Sequence, residues 1–353
     1  MDDNTMVFST LFDSGYLDKG LVLYDSLCRN VKEFKLYIFA FDEVCYHVVS
    51  QLSNEHLIVI SMKEFESEEL LKAKANRNAR EYCWTCSCHT IKYVLEHFDE
   101  SNCTYIDADM FFYQSPKVLY DEIQKSQCDV SVIRHGFADV KEKRQYIKVS
   151  GEYCVEFNTF FSTERGMQIL NWWCDRCLEC CTEKVDGEYF GDQKYIEQMR
   201  VLFPDVHVIA HQGAGVAPWN VSRFALEDRM EGGGIVLKEK KTKEIIPLIF
   251  YHFQQIRYLS ECSADINVYL YPYRTSLELR DAIYLPYLRK LSEKRQELLN
   301  DYELDLGKRT QYIKKKRFID YLAFFCQKGI NPCIGIQRLG RFLFRRQYDY
   351  VSW

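Results

Sequence analysis

Strand-forming and helix-forming segments alternate along the first half of the chain, and this alternation limits the fold more than any other feature. Segments rich in β-branched and aromatic residues predict strands at 6–12, 34–41, 57–62, 103–112 and 129–137. Apolar residues at intervals of three and four predict helices between them, the first of which is capped by Ser14. Such alternation predicts an α/β fold, in which a mostly parallel, doubly wound sheet is flanked by helices.

The later part of the chain continues this pattern less regularly. It predicts strands at 153–163 and 206–211, helices at 165–181 and 191–204, and a hairpin whose second strand ends at His252. The α/β pattern therefore extends to about residue 260.

The sequence changes character near residue 265, after which Tyr- and Lys-rich helical segments follow without clear strands. This change predicts two parts, a first domain over 1–265 and a helical, basic, aromatic-rich extension over 266–353. Residues 307–353 contain eleven Lys and Arg but two Asp, a net charge of +9; because the whole chain carries −5, the rest carries −14. So acidic a body would repel a phosphate backbone, which excludes nucleic acid as a partner.

Two interpretations of the basic tail stay open. As an interfacial helix it would hold the protein against the inner face of a membrane, and as a packed extension it would cover the body through its aromatic residues. The chain has no run of 18 apolar residues and its N-terminus is acidic without a secretory leader. The sequence therefore predicts a cytoplasmic protein, either free or peripheral on the inner membrane face.

Fifteen cysteines also need an explanation, and two groups stand out, CWTCSCH (83–89) and CDRCLECC (174–181). One interpretation is a zinc or iron–sulfur site, since C-x-x-C spacing can bind metal. The other is a packed apolar helical stripe, which the helical spacing of the second group favours. Disulfides are not expected in a cytoplasmic protein.

Two carboxylates, Asp107 and Asp109, interrupt the apolar segment CTYIDADMFF (103–112). Buried strands seldom keep charged pairs, so we expect the pair at the carboxyl end of the fourth strand, where ligands bind in open α/β sheets. Two carboxylates with one spacer can both reach one hard divalent cation, Mn²⁺ or Mg²⁺, bound together with a diphosphate. Because a single D-x-D match is common by chance, the surrounding sequence has to decide whether this match is functional.

That context resembles the GT-A-fold (Rossmann-like) glycosyltransferases of family 8, the glycogenin and lipopolysaccharide galactosyltransferase group. The segment ending YIDAD resembles their D-x-D element, and STLFDSGYLDKGLVLYDSL resembles their first strand and helix. VEFNTFFST resembles their F-N-x-G-V strand, GDQKYI their D-Q helix start, and FYHF the late strand with a metal-binding histidine. These five motifs occur in the family's order over residues 5–260.

The resemblance implies an activity. It is the metal-dependent transfer of a hexose from a nucleotide-diphosphate sugar, UDP-linked in this family, with retention. The acceptor would be a glycan or a lipid-linked sugar in surface polysaccharide or lipopolysaccharide synthesis.

The resemblance also implies which residues bind the metal. Asp109 would be the more direct ligand, Asp107 would be shared with the ribose, and His252 would complete the set. His211 is a rival, because HQGAGVAPW is close to the family's H-x-x-G-x-x-K-P-W, although Ala214 and Ala217 stand where its Gly and its Lys are expected. Loss of that lysine removes a cation that would hold the diphosphate.

Further residues correspond to substrate-binding positions of the family. Those implied in nucleotide-sugar binding are Thr10, Phe12, Asp13, Lys92, Asp107, Ala108, Trp219 and Asn220. Those implied in catalysis at the transferred sugar are Glu156, Asn158, Asp192 and Gln193. Plain alternatives remain for two of them, Lys92 as an exposed helical lysine and Asp192 as a helix N-cap.

Two other function classes share parts of this pattern. A sugar nucleotidyltransferase would need a Gly- and Arg-rich loop directly after the first strand, and LFDSGYLDKG lacks one. A non-catalytic carbohydrate- or nucleotide-binding protein on the same fold would not need two aspartates and a histidine together. The sequence therefore favours a glycosyltransferase over both.

Overall fold

The computed structural model describes residues 5–52, 54–139, 143–184, 190–266, 275–313 and 350–353. Its strands are β1 (Met6–Phe12), β2 (Phe34–Ala40), β3 (Leu57–Ser61), β4 (Asn102–Ile106), β5 (Met110–Phe112), β6 (Val130–Arg134), β7 (Tyr153–Phe161), β8 (His207–Val208), β9 (Phe224–Arg229), β10 (Ile235–Glu239), β11 (Ile245–Pro247), β12 (Phe250–His252), β13 (Arg257–Ser260), β14 (Ser263–Asp265) and β15 (Tyr350–Ser352). Its α-helices are α1 (Leu17–Asn30), α2 (Glu43–Ser50), α3 (Met62–Phe65), α4 (Glu68–Lys74), α5 (Ala79–His97), α6 (Lys117–Ser126), α7 (Lys143–Ser150), α8 (Glu164–Glu179), α9 (Lys194–Leu202), α10 (Leu277–Tyr302) and α11 (Leu306–Arg309).

The central sheet has seven strands in the order β3-β2-β1-β4-β7-β6-β8. β7 alone runs against the others, paired antiparallel with β4 and with β6. Side chains alternate across each strand, so β1 directs Phe8 into a hydrophobic layer with α1, α2 and α6, and Val7 into another layer with α5 and α8. The predicted α/β fold with a mostly parallel, helix-flanked sheet is confirmed.

The predicted fourth strand, 103–112, is two strands in the structure. β4 ends at Ile106, residues 107–109 form a turn, and β5 begins at Met110. β5 leaves the central sheet and pairs antiparallel with β12, so that Met110 lies opposite His252. The turn holds both carboxylates, and the pairing of β5 with β12 brings a histidine from far along the chain next to them.

Two other details differ from the sequence prediction. A 3₁₀ turn at Ser14–Tyr16 precedes α1, and it is capped by Asp13, which accepts from the Gly15 amide, and not by Ser14. The predicted hairpin consists of β10 and β11, whereas His252 lies on the separate strand β12. This second difference follows from pairing with β5, which a local pattern does not show.

Helix α10 packs against the body of the protein through α1, β5 and β12. Its buried apolar residues, among them Leu279 and Ile283, share a hydrophobic cluster with β5 and β12. Asp18 on α1 is fully buried and accepts from Arg295 Nε on α10 at 2.6 Å and from Tyr258 Oη on β13 at 3.0 Å. The division into 1–265 and a C-terminal extension stays a prediction.

The interpretations of the basic tail concern mainly residues 314–349, which lie outside the described residues. Among the helices that the structure describes, none has the length and hydropathy needed to cross a membrane. The interfacial-helix hypothesis therefore stays a prediction.

Candidate active site

Asp107 and Asp109 lie in the turn at the carboxyl end of β4. His252 joins them from β12, because its register opposite Met110 places it next to Asp109. His252 Nε2 is 3.1 Å from Asp109 Oδ1 and 3.6 Å from Asp107 Oδ2. Ligand atoms of the three residues all lie within 4.8 Å of one another. The structure thus brings the three predicted metal ligands together.

Glu156 fixes the orientation of His252. It is fully buried on β7, and His252 Nδ1 donates to its Oε2 at 2.6 Å. With Nδ1 protonated, Nε2 is the ring nitrogen that faces the two aspartates. A carboxylate on the far nitrogen is the usual partner of a metal-binding imidazole. Glu156 therefore orients His252, and the role that the resemblance implies for it at the sugar stays a prediction.

Burial and charge shift the ionisation of all three residues. Burial raises the pKa of Asp107 to about 7, with the charge of His252 opposing this rise and that of Asp109 adding to it. Burial also disfavours the charged form of Asp109, but the positive charges of His252 and Lys19 outweigh this effect. They hold the pKa of Asp109 below its ordinary value. Burial likewise disfavours the charged form of His252, yet Asp109 and Glu156 raise its pKa well above the usual range.

These residues fit a divalent cation. Two carboxylates and one imidazole nitrogen suit Mn²⁺, and the oxygens also suit Mg²⁺. Buried polar atoms that have no hydrogen-bond partner among the described residues lie on neighbouring strands of the site: Thr10 Oγ1, Glu156 Oε1 and Asn158 Oδ1. Unpartnered buried atoms also occur elsewhere in the described residues, as at Tyr24 and Asn102, so the fit to a cation rests on the chemistry of the three ligands.

The structure places His211 away from this centre. Its Nδ1 accepts from a backbone amide, and its own amide donates to Glu122. His252 is therefore the histidine beside the two aspartates. In the GAGVAPWN loop, Gly215 has a φ of +65°, and a Cβ there would lie 2.9 Å from Glu156 Oε1. This glycine is needed for packing against Glu156 and allows the loop to support β12.

Trp219 and Asn220 support the site from behind. Trp219 is 1% exposed, and its ring centroid is 5.3 Å from those of both His135 and His252. Asn220 Nδ2 donates to the carbonyls of His135 and Gly215, and its Oδ1 accepts from a loop amide. Both side chains are buried and support the site, and the nucleotide-sugar binding that the resemblance implies for these two residues stays a prediction.

Asp192 and Gln193 lie at the start of α9. Ser87 Oγ donates to Asp192 Oδ2 at 2.5 Å, and burial raises the pKa of Asp192 to about 7. The negative charge of Asp192 also contributes to the raised pKa of Asp107. Gln193 occupies the N-cap position of α9 and donates from Nε2 to the Ser150 carbonyl. Asp192 is therefore not simply the N-cap of this helix.

Three further residues that the resemblance implies in nucleotide-sugar binding differ in their exposure to solvent. Asp13 is exposed, and Ala108 is buried between the two aspartates, where it offers its backbone. Phe12 faces the core instead, because a Cβ on Gly20 of α1 would lie 2.4 Å from its ring. The side chain of Phe12 therefore packs in the core, and the role of this residue in nucleotide binding stays a prediction.

Lys92 does not lie with these residues. It pairs with Glu96 on the same helix at 3.8 Å and is partly exposed. The face of α5 towards the site is that of Ser87, which binds Asp192. Lys92 is five residues after Ser87, and at 100° per residue its side chain points roughly 140° away from that face around the helix axis. This position agrees better with a helical lysine at the surface, and the implied contact of Lys92 with the diphosphate stays a prediction.

Lys19 is the site residue that sequence reasoning missed. It is buried on α1, its Nζ lies 3.6 Å from the Tyr16 ring centroid, and its charge lowers the pKa of Asp109. Within the described parts of the chain it forms no salt bridge with a carboxylate. A sequence clue was present, since Lys19 stands between the core residues Leu17 and Leu21 of the first helix.

The two cysteine groups meet between α5 and α8, where ligand atoms of Cys88, His89 and Cys174 lie within 4.8 Å of one another. Burial raises the pKa of both thiols well above the ordinary value, and His89 Nδ1 donates to the Thr85 carbonyl. Neutral buried thiols agree with a packed stripe, in which Cys177 is also fully buried. No disulfide joins the cysteines that the structure describes.

Comparison with solved structures assigns the fold class. The chain is similar to the galactosyltransferase LgtC, solved in complex with donor and acceptor sugar analogues, with a TM-score of 0.51, 13% identity, and coverage of 82% of this chain and 95% of LgtC. The protein therefore has the GT-A fold of glycosyltransferases.

Comparison by sequence gives the family. No family model matches the chain. It is 31% identical over 261 residues to the uncharacterized protein YfnF of Bacillus subtilis (strain 168), covering 72% of this chain and 83% of YfnF. It is 28% identical over 292 residues to YfnD of the same organism, covering 82% of this chain and 89% of YfnD. The protein belongs to the family of YfnF.

Proposed function

We propose that the protein is a metal-dependent hexosyltransferase that uses a UDP-sugar and retains the configuration of the anomeric carbon. The observation that carries this proposal is the convergence of Asp107, Asp109 and His252 at the strand ends of a GT-A sheet. The choice of UDP and the retention of configuration rest on the resemblance to family 8. Surface polysaccharide or lipopolysaccharide synthesis, on a glycan or lipid-linked acceptor, follows from the same resemblance.

The chain's own residues have separable tasks. Asp109 and His252 Nε2 would hold the cation directly, and Asp107 would divide its carboxylate between the cation and the ribose. A bound Mn²⁺ or Mg²⁺ supplies positive charge against the leaving diphosphate. Glu156 keeps the proton on Nδ1 of His252, which leaves Nε2 free to bind a metal.

The transferred sugar would lie between this centre and the start of α9. Asn158 Oδ1 is buried without a described partner, so it can accept from a sugar hydroxyl. Asp192 can donate or accept near neutral pH, because burial raises its pKa to about 7. Such a carboxyl group binds sugar hydroxyls in either protonation state.

Hydrolysis of a panel of UDP- and GDP-sugars tests the proposal. The purified protein is expected to hydrolyse one UDP-sugar slowly without acceptor when Mn²⁺ is present. Asp109→Asn keeps the size of the side chain but removes a charged ligand, and it should lower this rate at least about a hundredfold. Asp121→Asn, an exposed carboxylate on α6, is the matched control and should retain the rate.

The contrary outcomes are distinct. If calorimetry finds no Mn²⁺-dependent binding of UDP or GDP, the three converging residues are not a nucleotide-sugar site and the proposal fails. If a sugar 1-phosphate and UTP instead yield diphosphate, the protein is a nucleotidyltransferase. Nuclear magnetic resonance of the released sugar distinguishes retention from inversion.

A further inference from the structure

A buried serine on α5 lies against Asp192, the residue that would contact the transferred sugar. Ser87 is 1% exposed and Asp192 is 4% exposed, and Ser87 Oγ is 2.5 Å from Asp192 Oδ2. Within the residues that the structure describes, no other side chain donates to this carboxyl group. The sequence motifs indicate no function for Ser87, so this contact adds a residue to the site.

The main chain at Asp192 is held by two tryptophans. Trp173 Nε1 on α8 donates to the Asp192 carbonyl at 3.1 Å. The preceding residue, Gly191, has a φ of +57°, and a Cβ there would lie 3.2 Å from the Trp84 ring. These contacts fix the backbone but do not touch the carboxyl group. Ser87 is therefore the described side chain that orients the carboxyl group itself.

The Ser87 hydroxyl has one proton and lies close to two acceptors. Its Oγ is 2.5 Å from Asp192 Oδ2 and 2.8 Å from the Trp84 carbonyl oxygen. When Asp192 is ionised, the hydroxyl donates to it. When Asp192 is protonated, the acid donates to Oγ and the hydroxyl turns to the Trp84 carbonyl. Both states occur near neutral pH, because burial raises the pKa of Asp192 to about 7, and Ser87 can hold the group in each.

Asp192 is also close to the metal ligands. Tyr105, which is buried near the end of β4, donates from Oη to Asp107 Oδ1 at 2.9 Å. Burial, to which the charges of Asp107 and Asp192 add, raises the pKa of Tyr105 well above its ordinary value. Both carboxyl groups therefore act on this one phenol. The direction of the Asp192 carboxyl group thus matters to whatever binds beside Asp107.

We propose that Ser87 is a positioning residue of the transfer reaction, whose hydroxyl orients the carboxyl group of Asp192 towards the transferred sugar. This inference rests on the proposed transferase function, in which Asp192 contacts the sugar. A short hydrogen bond between two buried groups restricts the carboxyl group to one direction. The group then meets the sugar hydroxyls without first having to reorient, which is how positioning raises the rate of a reaction.

The first test compares donor turnover with nucleotide binding in Ser87→Ala. Hydrolysis of the UDP-sugar that the wild type uses, measured with Mn²⁺ over a range of donor concentrations, should show a kcat lowered at least about tenfold. Calorimetric binding of UDP with Mn²⁺ should be the same as for the wild type, because UDP has no sugar for Asp192 to contact. A general loss of structure would weaken both.

Ser26 on α1 offers a matched control. It is also 1% exposed, its hydroxyl donates to the carbonyl three residues earlier, and its Oγ accepts from the Phe112 amide. Ser26→Ala therefore removes a similar pair of hydrogen bonds at a place where no carboxyl group is involved. We expect it to retain the wild-type kcat. Equal losses of kcat in Ser26→Ala and Ser87→Ala would overturn the inference, since both would then act through the fold.

A double-mutant cycle shows whether Ser87 acts through Asp192. In Asp192→Ala no carboxyl group remains to be oriented, so adding Ser87→Ala should lower kcat no further. A further tenfold loss in that background overturns the inference, and so does an unchanged kcat in Ser87→Ala alone. If the wild type neither binds UDP with Mn²⁺ nor hydrolyses a donor, the transferase proposal fails and this inference fails with it. The two failures are thus distinguished by the wild type.

Discussion

At the scale of single residues, we expect Lys19 to supply the positive charge that the resemblance to family 8 predicts near the diphosphate. The related family has a lysine where this chain has Ala217, and Ala217 is fully buried, so the loop offers no charge there. Lys19 lies on α1, close enough for its charge to lower the pKa of Asp109. A buried ammonium group without a described carboxylate partner is costly unless an anion binds it.

We therefore expect Lys19→Met to weaken the binding of UDP in the presence of Mn²⁺ by roughly tenfold, the effect of one lost charge-assisted hydrogen bond. Uridine has no phosphate, so its affinity should not change. Calorimetry with both ligands measures the difference, and Lys32→Met, an exposed lysine substitution, is the control. Equal losses for uridine and UDP would mean that Lys19 supports the fold and not the diphosphate.

The metal ligands that the sequence predicts share one property: they belong to local motifs at strand ends. Asp107 and Asp109 could be placed because a parallel sheet puts ligands at its carboxyl edge. Phe12 and Lys92 could not, because their roles depend on the direction of a side chain, and Phe12 turns towards Gly20 of α1. Sequence analysis did not predict Lys19 at the site for the same reason, because the side chain of a lysine in a helix is normally exposed to solvent.

At the scale of elements, the main difference between prediction and structure is the break between β4 and β5. The sequence CTYIDADMFF is apolar on both sides of the aspartates, so its pattern alone predicts one strand. The break arises because β5 pairs with β12, which lies far along the chain. Local patterns contain no information on such pairing, whereas the strands β1–β3 and the helices α1 and α8 agreed with prediction because short-range periodicity determines them.

Two ion pairs between α1 and α10 give a prediction at this scale. Asp18 is fully buried and binds Arg295 at 2.6 Å, whereas Asp25 is about half exposed and binds Lys294 at 2.9 Å. Removing one member of a buried pair leaves an unpaired charge, so Asp18→Asn should lower the free energy of unfolding by about 3 kcal/mol. Asp25→Asn should lower it by less than about 1 kcal/mol, because water replaces an exposed partner.

Equilibrium unfolding in urea measures the free energy of unfolding of the Asp18→Asn and Asp25→Asn variants. The midpoint should fall strongly for Asp18→Asn and little for Asp25→Asn, with the same slope for each. Similar small losses would show that solvent reaches Arg295 and that the contact between α1 and α10 relies on apolar packing alone.

At the scale of the whole molecule, helix α10 is packed as part of the core. Leu279 and Ile283 of α10 are fully buried, and the ring of Tyr287 stacks on that of Phe253 with centroids 3.6 Å apart. Phe253 directly follows His252 and its amide donates to the Asp109 carbonyl, so this packing lies directly behind the metal site. The composition of the chain changes near residue 265, but the hydrophobic core does not end there.

This arrangement predicts the behaviour of shortened chains. A chain ending at residue 265 loses α10 and exposes the apolar residues of β5 and β12, so we expect it to bind an apolar dye and to unfold without a cooperative transition. A chain ending at residue 313 keeps α10 and α11, and it should unfold cooperatively, at a lower temperature than the full chain because it lacks β15, whose Val351 is buried. Calorimetry and dye fluorescence compare the three chains. Cooperative unfolding of the chain ending at 265, with Mn²⁺-dependent donor hydrolysis retained, would instead establish residues 1–265 as an independent catalytic domain and would make α10 an appendage.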